Sequence, residues 1–426
     1  MNKDKKLVRK LKNPRQEQEK WNSVLKIVNN VCDLYRLQFP IYRDTEFLFE
    51  KAIEDLNIDL YTNLFKPVKI TQYGKYISLK YKTEEMTDEL WNSDFYRECR
   101  GLVIDINRGE IVCSPYKKFF NLNELEECSF DNIVNAMAKA DTVEFTDKLD
   151  GSMQSARFYY GKYLLNGMSE MNIKESWRLQ TGMRLMGENY KRMLRDNADC
   201  TFIFELIAYK DRHTVLYDKD ELVLTGIRDV NTGYTYNNNL VKLIADTYNV
   251  PSAVIEKKTI TEVLAEAKVL PSNEKEGWVL NIDGYRVKIK CDDYVQISRV
   301  LGTYSSDNAI VKAIADGTMD DVLSKVPSNY IKRIKEDFSF YKGVKLFLDK
   351  KIDEYYNKAP KGNKKDFMVY VNNNVPKEIS GYVRCKYLKT EYNIFKKGKD
   401  GYKKAKEVKE MADRVNAFIM DDDLPF

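Results

Sequence analysis

The stretch GWVLNIDGYRVKIK, residues 277–290, reads as two short strands joined at Asp283-Gly284, a pair that favours a tight hairpin turn. A period of two puts Val287 and Ile289 on one face of the second strand and Lys288 and Lys290 on the other. Working outward, GLVIDINRGEIVC (101–113) forms a second hairpin turning at Asn107-Arg108-Gly109, and CTFIFELIAY (200–209) a buried strand. Helical patterns such as KESWRLQTGMRLMGENYKRML (174–194) separate the strands. Short strands mixed with helices between about Thr71 and Lys290 predict an α+β domain built on antiparallel sheets rather than a doubly wound parallel sheet.

On either side the pattern is helical. Trp21, Leu25, Val28 and Val31-Cys32 recur at helical spacing within residues 15–60. Past Val300 strand signals fade, and in YKGVKLFLDKKIDEYY the positions Val344, Phe347, Leu348, Ile352 and Tyr355 share one face. The expected divisions are a basic, mostly helical extension (1–65), a strand-rich domain (66–300), an all-α basic domain (301–419) and an acidic tip (420–426).

The chain has 426 residues, 43% hydrophobic and 32% charged, an ordinary balance that excludes wholesale disorder and fibrous repeats. It has one histidine, His213, which excludes a multi-histidine metal site and weighs against Ser-His-Asp and Cys-His hydrolases. Seven scattered cysteines without a CxxC pair read as reduced structural thiols. No apolar run approaches a membrane span and no secretory signal opens the chain, so a cytoplasmic protein is expected. The net charge of +5 is unevenly spread: residues 331–410 carry 22 Lys and Arg against 11 Asp and Glu, leaving −6 elsewhere, and residues 1–20 hold eight cations against three acids. This asymmetry fits contact with a polyanion, or a solvated lysine-rich surface. The N-terminal basic stretch reads equally as an RNA-binding arm or a helix packed on the core.

Chemistry concentrates in a few segments. Lys148-Leu149-Asp150-Gly151-Ser152 follows the strand-like run TVEFTD, so the lysine sits at a strand end or in the turn after it. FELIAY carries Glu205 inside an apolar strand, where an unpaired carboxylate is costly. Glu276 stands at the entrance of the 277–290 hairpin, and Lys288 and Lys290 repel one another unless an anion, such as phosphate, lies between them. Upstream, Arg100 begins the first hairpin, and Lys118 lies in the segment SPYKKFFNLNE that follows it.

In that order, a KxDG motif, a strand with Glu, a strand with Glu-Gly and a Lys-x-Lys strand resemble the covalent nucleotidyltransferases, which include polynucleotide ligases and capping enzymes. ECRG, KFFNLNE, KLDGS, FELIAYKDRHTVLY and VKIKCDDYV are closest to the phage-type RNA ligase 1 family, over about residues 75–325. The resemblance implies an antiparallel-sheet nucleotidyltransferase domain, ATP as substrate, magnesium (or manganese) as the metal, and RNA, including cleaved transfer RNA, as partner. It implies that Lys148 takes up AMP and that Arg100 and Lys118 hold the nucleotide. Glu205 and Glu276 would act on the metal side, Lys288 and Lys290 would grip the reacting phosphate, and Asp320 of IADGTMDD would bind a divalent ion. A DNA ligase or capping enzyme is the alternative enzyme reading, though those continue into a small β-barrel where helices follow here; a nucleic-acid-binding adaptor without activity is another.

Two positions depart from the family. A cation is expected on the strand after the nucleophile, where Leu165-Asn166-Gly167-Met168 has none; an aromatic is expected near residue 80, where the closest register gives Leu79, with Tyr81 two positions on. Neutralising a lysine at pH 7 costs roughly 4.6 kcal/mol from its usual pKa near 10.4, so burial and the neighbouring Lys288 and Lys290 are expected to hold Lys148 uncharged. The ending, MDDDLPF, resembles the acidic tip of bacterial single-stranded-DNA-binding proteins. It offers a docking peptide for another protein, or a frayed tail, or a strap on the chain's own basic domain.

Overall fold

In a computed structural model, the structure describes residues 14–42, 63–211, 213–397 and 401–422. The end of the acidic tip, 423–426, and most of the basic 1–20 stretch lie outside them. The chain divides into two compact units, Met1–Val295 and Gln296–Phe426, the division falling inside the helix Asp292–Tyr304.

Among the described residues the first unit contains three sheets. One holds β1 (Val68–Tyr73), β2 (Tyr76–Tyr81), β3 (Arg100–Asp105) and β4 (Glu110–Cys113) in sequence order. Five more strands follow in the chain: β5 (Phe120–Asn121), β6 (Val143–Asp147), β7 (Ser152–Tyr159), β8 (Lys162–Asn166) and β9 (Cys200–Ile207). The last four are β10 (Glu221–Asp229), β11 (Ile255–Glu256), β12 (Gly277–Ile282) and β13 (Tyr285–Lys290). They form a sheet ordered β10-β9-β7-β8 and another ordered β11-β6-β12-β13-β5. All the strand pairs are antiparallel except β13 with β5. The two hairpins expected from sequence are β3–β4 and β12–β13, and the latter turns at Asp283 and Gly284, both with positive φ.

The helix Pro14–Tyr42 belongs to this unit's core. Trp21, Val24, Val28, Val31 and Cys32 are buried with Phe65, Val68, Ile77 and Leu102. The core-facing residue is Val24 rather than the expected Leu25, which packs at the margin. Trp21 donates from Nε1 to the Val230 carbonyl (3.1 Å) and lies over the Arg228 guanidinium, whose two terminal nitrogens grip Glu98 at 2.5 and 2.6 Å. Both members of that ion pair are buried, so the ECRG segment is fixed to β10 from within. Six of the seven cysteines are buried and all are free thiols.

The second unit is helical. Its longest helix, Ser328–Lys358, has 31 residues and buries Tyr330, Ile334, Phe338, Tyr341, Leu348 and Ile352 at spacings near a helical turn. That face packs with helices Asp307–Asp316, Lys377–Tyr387 and Ala405–Asp422. The strand-rich domain followed by helices is the α+β class expected. Among the described residues no helix is long and apolar enough to cross a membrane.

Candidate active site

All three sheets contribute to one cleft of about 440 Å³. Lys148 leaves the end of β6, and its backbone N–H donates to the Gly277 carbonyl (3.0 Å), which ties the KLDG turn to the start of β12. Two glycines make this close approach feasible. A Cβ on Gly151 would stand 2.4 Å from the Leu206 carbonyl oxygen, and one on Gly277 would stand 2.1 Å from that of Ile289. Glu276 is thereby held at the mouth of β12, buried, with its own carbonyl bonded by the Cys291 N–H (2.9 Å).

Glu276 faces two lysines: Oε2 is 2.6 Å from Lys148 Nζ and Oε1 is 2.9 Å from Lys290 Nζ. Lys148, expected to stand uncharged among cations, thus has a carboxylate opposite it. Lys288 lies two residues before Lys290 on the same strand. Burial, then Arg100, Lys118, Lys148 and Lys290, push its pKa down to about 6. Its ammonium lies 4.7 Å from the centre of the Phe119 ring, and Arg100 lies 5.5 Å from the same ring. Glu205, on β9, lines the cleft; burial, with Glu276 nearby, raises its carboxyl to about 7 against the pull of Lys148, Arg100 and His213.

Asp150 is an anchor. Its Oδ2 accepts the Thr214 and Val215 N–H groups (2.8 and 2.9 Å), its Oδ1 accepts the Tyr294 hydroxyl (2.8 Å), and its N–H donates to Tyr217 (3.0 Å). His213 lies between Asp150 (3.4 Å) and Asp211 (3.2 Å). Burial pulls its pKa down, but the bond to Asp211 and the charges of Asp150, Asp211 and Glu205 outweigh this and raise it. Asp211 also accepts from Ser152 Oγ (2.5 Å) and Arg178 (2.8 Å). These contacts clamp the KLDG turn to the loop after β9.

Of the expected site residues, Lys148, Glu205, Glu276, Lys288, Lys290 and Arg100 are brought together, the first five within or beside the cleft and Arg100 on its wall. Lys118 is turned from the lining: its ammonium sits over the Phe120 and Trp91 rings (4.7 and 5.6 Å) and 3.7 Å from Glu124, and burial lowers its pKa. Asp320 is exposed in the first turn of helix Met319–Lys325 in the second unit. Near residue 80, Leu79 and Tyr81 are both buried and the residue facing the cleft is Lys80. Arg286 also lines the cleft; the alternation of YRVKIK puts it on the face of Lys288 and Lys290, a signal present in the sequence. Arg178 and Asp211 arrive from separate elements and have no local sequence signal.

Among the described residues no group of three or more His, Cys, Asp or Glu side chains could hold a metal. Two neighbouring carboxylates, Glu205 and Glu276, offer a hard divalent cation a small number of protein oxygens, the rest of its shell being left to water and substrate phosphates.

Basic residues around a lysine–carboxylate pair form a site for an anionic, phosphate-bearing substrate, and sequence comparison agrees. Residues 98–294 match the RNA ligase family. The match spans every site residue above except Lys80 and Asp320 and bears out the resemblance drawn from the motifs. The "Putative RNA ligase" of Thermovibrio ammonificans is 26% identical over 306 residues, 68% of this chain and 74% of its own. The "Putative bifunctional polynucleotide kinase/RNA ligase" of Autographa californica nuclear polyhedrosis virus is 22% identical, with 54% of this chain covering 35% of that protein. Among solved structures, Naegleria gruberi RNA ligase with PPi is 18% identical, with a TM-score of 0.35, 42% of this chain covering 56% of that one. A mutant of the same enzyme with ATP and Mn is 16% identical, also at 0.35, with 42% of this chain covering 57% of that one. The chain thus spans little more than half of the Naegleria ligase and about a third of the viral protein.

Proposed function

We propose that this protein is an ATP-dependent RNA ligase that joins 5′-phosphate and 3′-hydroxyl RNA ends through a lysyl-AMP on Lys148. The observation that carries this reading is the Lys148–Glu276–Lys290 arrangement: a lysine opening the KLDG turn after β6, 2.6 Å from a buried carboxylate, in a cleft lined by further cations.

Glu276 Oε2 is placed to accept the proton that Lys148 must lose. The freed Nζ electron pair attacks the α-phosphorus of ATP; the N–P bond forms as the bond to the bridging oxygen breaks, and pyrophosphate leaves with that electron pair. A 5′-phosphate oxygen of RNA then attacks the same phosphorus, the N–P bond breaks, and the amine regains its proton. Finally a 3′-hydroxyl oxygen attacks the 5′-phosphorus and gives its proton to solvent; the new O–P bond forms as the bond to the bridging oxygen breaks, and AMP leaves with that electron pair. Each step is a displacement at phosphorus, so Arg100, Lys288 and Lys290 can stabilise the charge in turn. Magnesium, or manganese, held on the side of Glu205 and Glu276, would supply Lewis-acid stabilisation of the phosphates. A metal role for Asp320 and a nucleotide role for Lys118 rest on the motif resemblance.

RNA is favoured over DNA because helices, not a small β-barrel, follow β13, and because the basic segment 331–410 lies in that helical unit. Cleaved transfer RNA is the proposed class of substrate, on the family resemblance. The test is incubation with α-labelled ATP or GTP and magnesium. A denaturation-resistant label from ATP that is absent in Lys148→Ala supports the ligase; label from GTP alone supports a capping enzyme; no label supports an adaptor. Chasing the adduct with single-stranded RNA, cleaved transfer RNA or nicked DNA identifies the end it seals.

A further inference from the structure

Several cations face the cleft, and they differ in what opposes them. Lys148 and Lys290 share Glu276, and Arg178 is held by Asp211. Lys80, Arg100 and Lys288 also line the cleft, and among the described residues no carboxylate stands within ion-pair distance of any of them, although Glu205 feels the Arg100 charge. Lys80 and Arg100 are moreover directly opposite one another, as Cα partners across β2 and β3. Two like charges in that relation destabilise a sheet unless an anion lies between them.

The local backbone explains how Arg100 comes to stand opposite Lys80. At the irregularity between Leu79 and Lys80, β3 contributes Gly101 as an additional residue with φ +91°, so Lys80 pairs with Arg100. A Cβ on Gly101 would stand 3.1 Å from Met168 Cα, and Ser78, two residues before Lys80 on the same strand face, donates from Oγ to the Met168 carbonyl (3.3 Å). The Lys80 face of β2 is therefore packed against the Gly167–Met168 corner after β8, the place where the sequence lacks the cation its resemblance calls for. Asn166 does not fill that role: it is buried and donates to the Gly167 carbonyl.

The geometry points to Lys80 as the residue that replaces the missing cation, acting with Arg100 as a clamp on the β- and γ-phosphates of the nucleotide, the part that leaves as pyrophosphate. This rests on the ligase reading and assigns one end of its substrate. Lys80 neither donates nor accepts a proton in the reaction; it holds the leaving group and stabilises the charge that develops on it. The cation has moved from one strand to the facing one, and the aromatic expected near residue 80 has given way to it.

The test separates the step that releases pyrophosphate from the step that does not. In Lys80→Ala, the KM for ATP in Lys148 adenylation should rise at least tenfold, and pyrophosphate-driven discharge of the adenylated protein should weaken comparably. Sealing of RNA whose 5′ end already carries AMP should lose at least fivefold less than adenylation does. Lys80→Arg should restore most of the loss. Without nucleotide, Lys80→Ala should melt no lower than the parent chain, since it relieves repulsion with Arg100, while the rise in melting temperature caused by pyrophosphate should shrink. Equal losses in adenylation and sealing, an unchanged KM for ATP, or an unchanged pyrophosphate effect would each overturn the assignment while leaving the ligase intact. Absence of any ATP-derived adduct on the parent chain would overturn the ligase reading itself, and this assignment with it.

Discussion

The Nζ of Lys148 lies 2.6 Å from Oε2 of Glu276, a residue 128 positions away in the chain. The second oxygen of that carboxylate is taken by Lys290. A carboxylate so placed can take a proton from Lys148 only if its charge is retained. Glu276→Gln should therefore lower the rate of Lys148 adenylation by roughly 10²–10⁴-fold, the usual range for a lost general base. Single-turnover labelling with α-labelled ATP measures it, and a rate within threefold of the parent would remove Glu276 from that role.

Burial and the surrounding Arg100, Lys118, Lys148 and Lys290 push Lys288 down to about 6, so it is mostly neutral at pH 7.5. A polyphosphate favours its ammonium form, so nucleotide binding should take up protons between about pH 6 and 9. Calorimetry of metal-free ATP binding in buffers of different ionisation enthalpy should detect the uptake, and Lys288→Met should abolish most of it. The same shift has a stability consequence. Between its folded value of about 6 and its ordinary value of 10.5, the unfolded chain binds more protons, so this residue makes stability rise with pH across that window.

Glu205 acts in the opposite sense. Its folded value of about 7 lies above the ordinary 4.5, so the folded chain holds the extra proton between them. The stabilisation is complete below pH 4.5 and is lost as pH rises through 7. Glu205→Gln should therefore be more stable than the parent at pH 8, by roughly 1–3 kcal/mol, and little different at pH 4.5, while its metal-dependent adenylation falls at least a hundredfold. Thermal melts at the two pH values check the first part; identical differences at both would contradict it.

The Glu98–Arg228 pair is a structural device. Arg228→Ala leaves a buried carboxylate unpaired beneath Trp21 and should cost roughly 3–5 kcal/mol. A Glu98→Leu, Arg228→Met double variant, which removes both charges, should recover much of that loss. Melting temperatures of the single and double variants decide it: a double variant no more stable than Arg228→Ala would mean that packing around Trp21, rather than the stranded charge, sets the cost.

Much of the architecture was legible because it is written in short-range patterns. The β12–β13 hairpin follows from alternation around Asp283-Gly284, and the long helix Ser328–Lys358 from a recurring apolar face. Helical spacing also located the residues 14–42 helix, but neither its attachment to the catalytic core nor the choice of Val24 over Leu25 could be read from period alone. Both depend on Phe65, Val68 and the strands beyond them. In the site, the motifs supplied Lys148, Glu205, Glu276, Lys288 and Lys290, whereas Asp211 and Arg178, which clamp the KLDG turn, belong to no local pattern.

What the sequence by itself determined is the set of chemical groups and the strands that present them: a lysine ending a strand, two carboxylates on others, and a row of cations alternating along β13. Only the tertiary structure decided which charges meet. It placed Glu276 between Lys148 and Lys290, turned Lys118 toward aromatic rings, and brought Lys80 opposite Arg100. The physical reason is range: backbone periodicity fixes the direction of a side chain over a few residues, but a charge takes its character from burial and from neighbours within a few ångströms, and here those neighbours come from three different sheets.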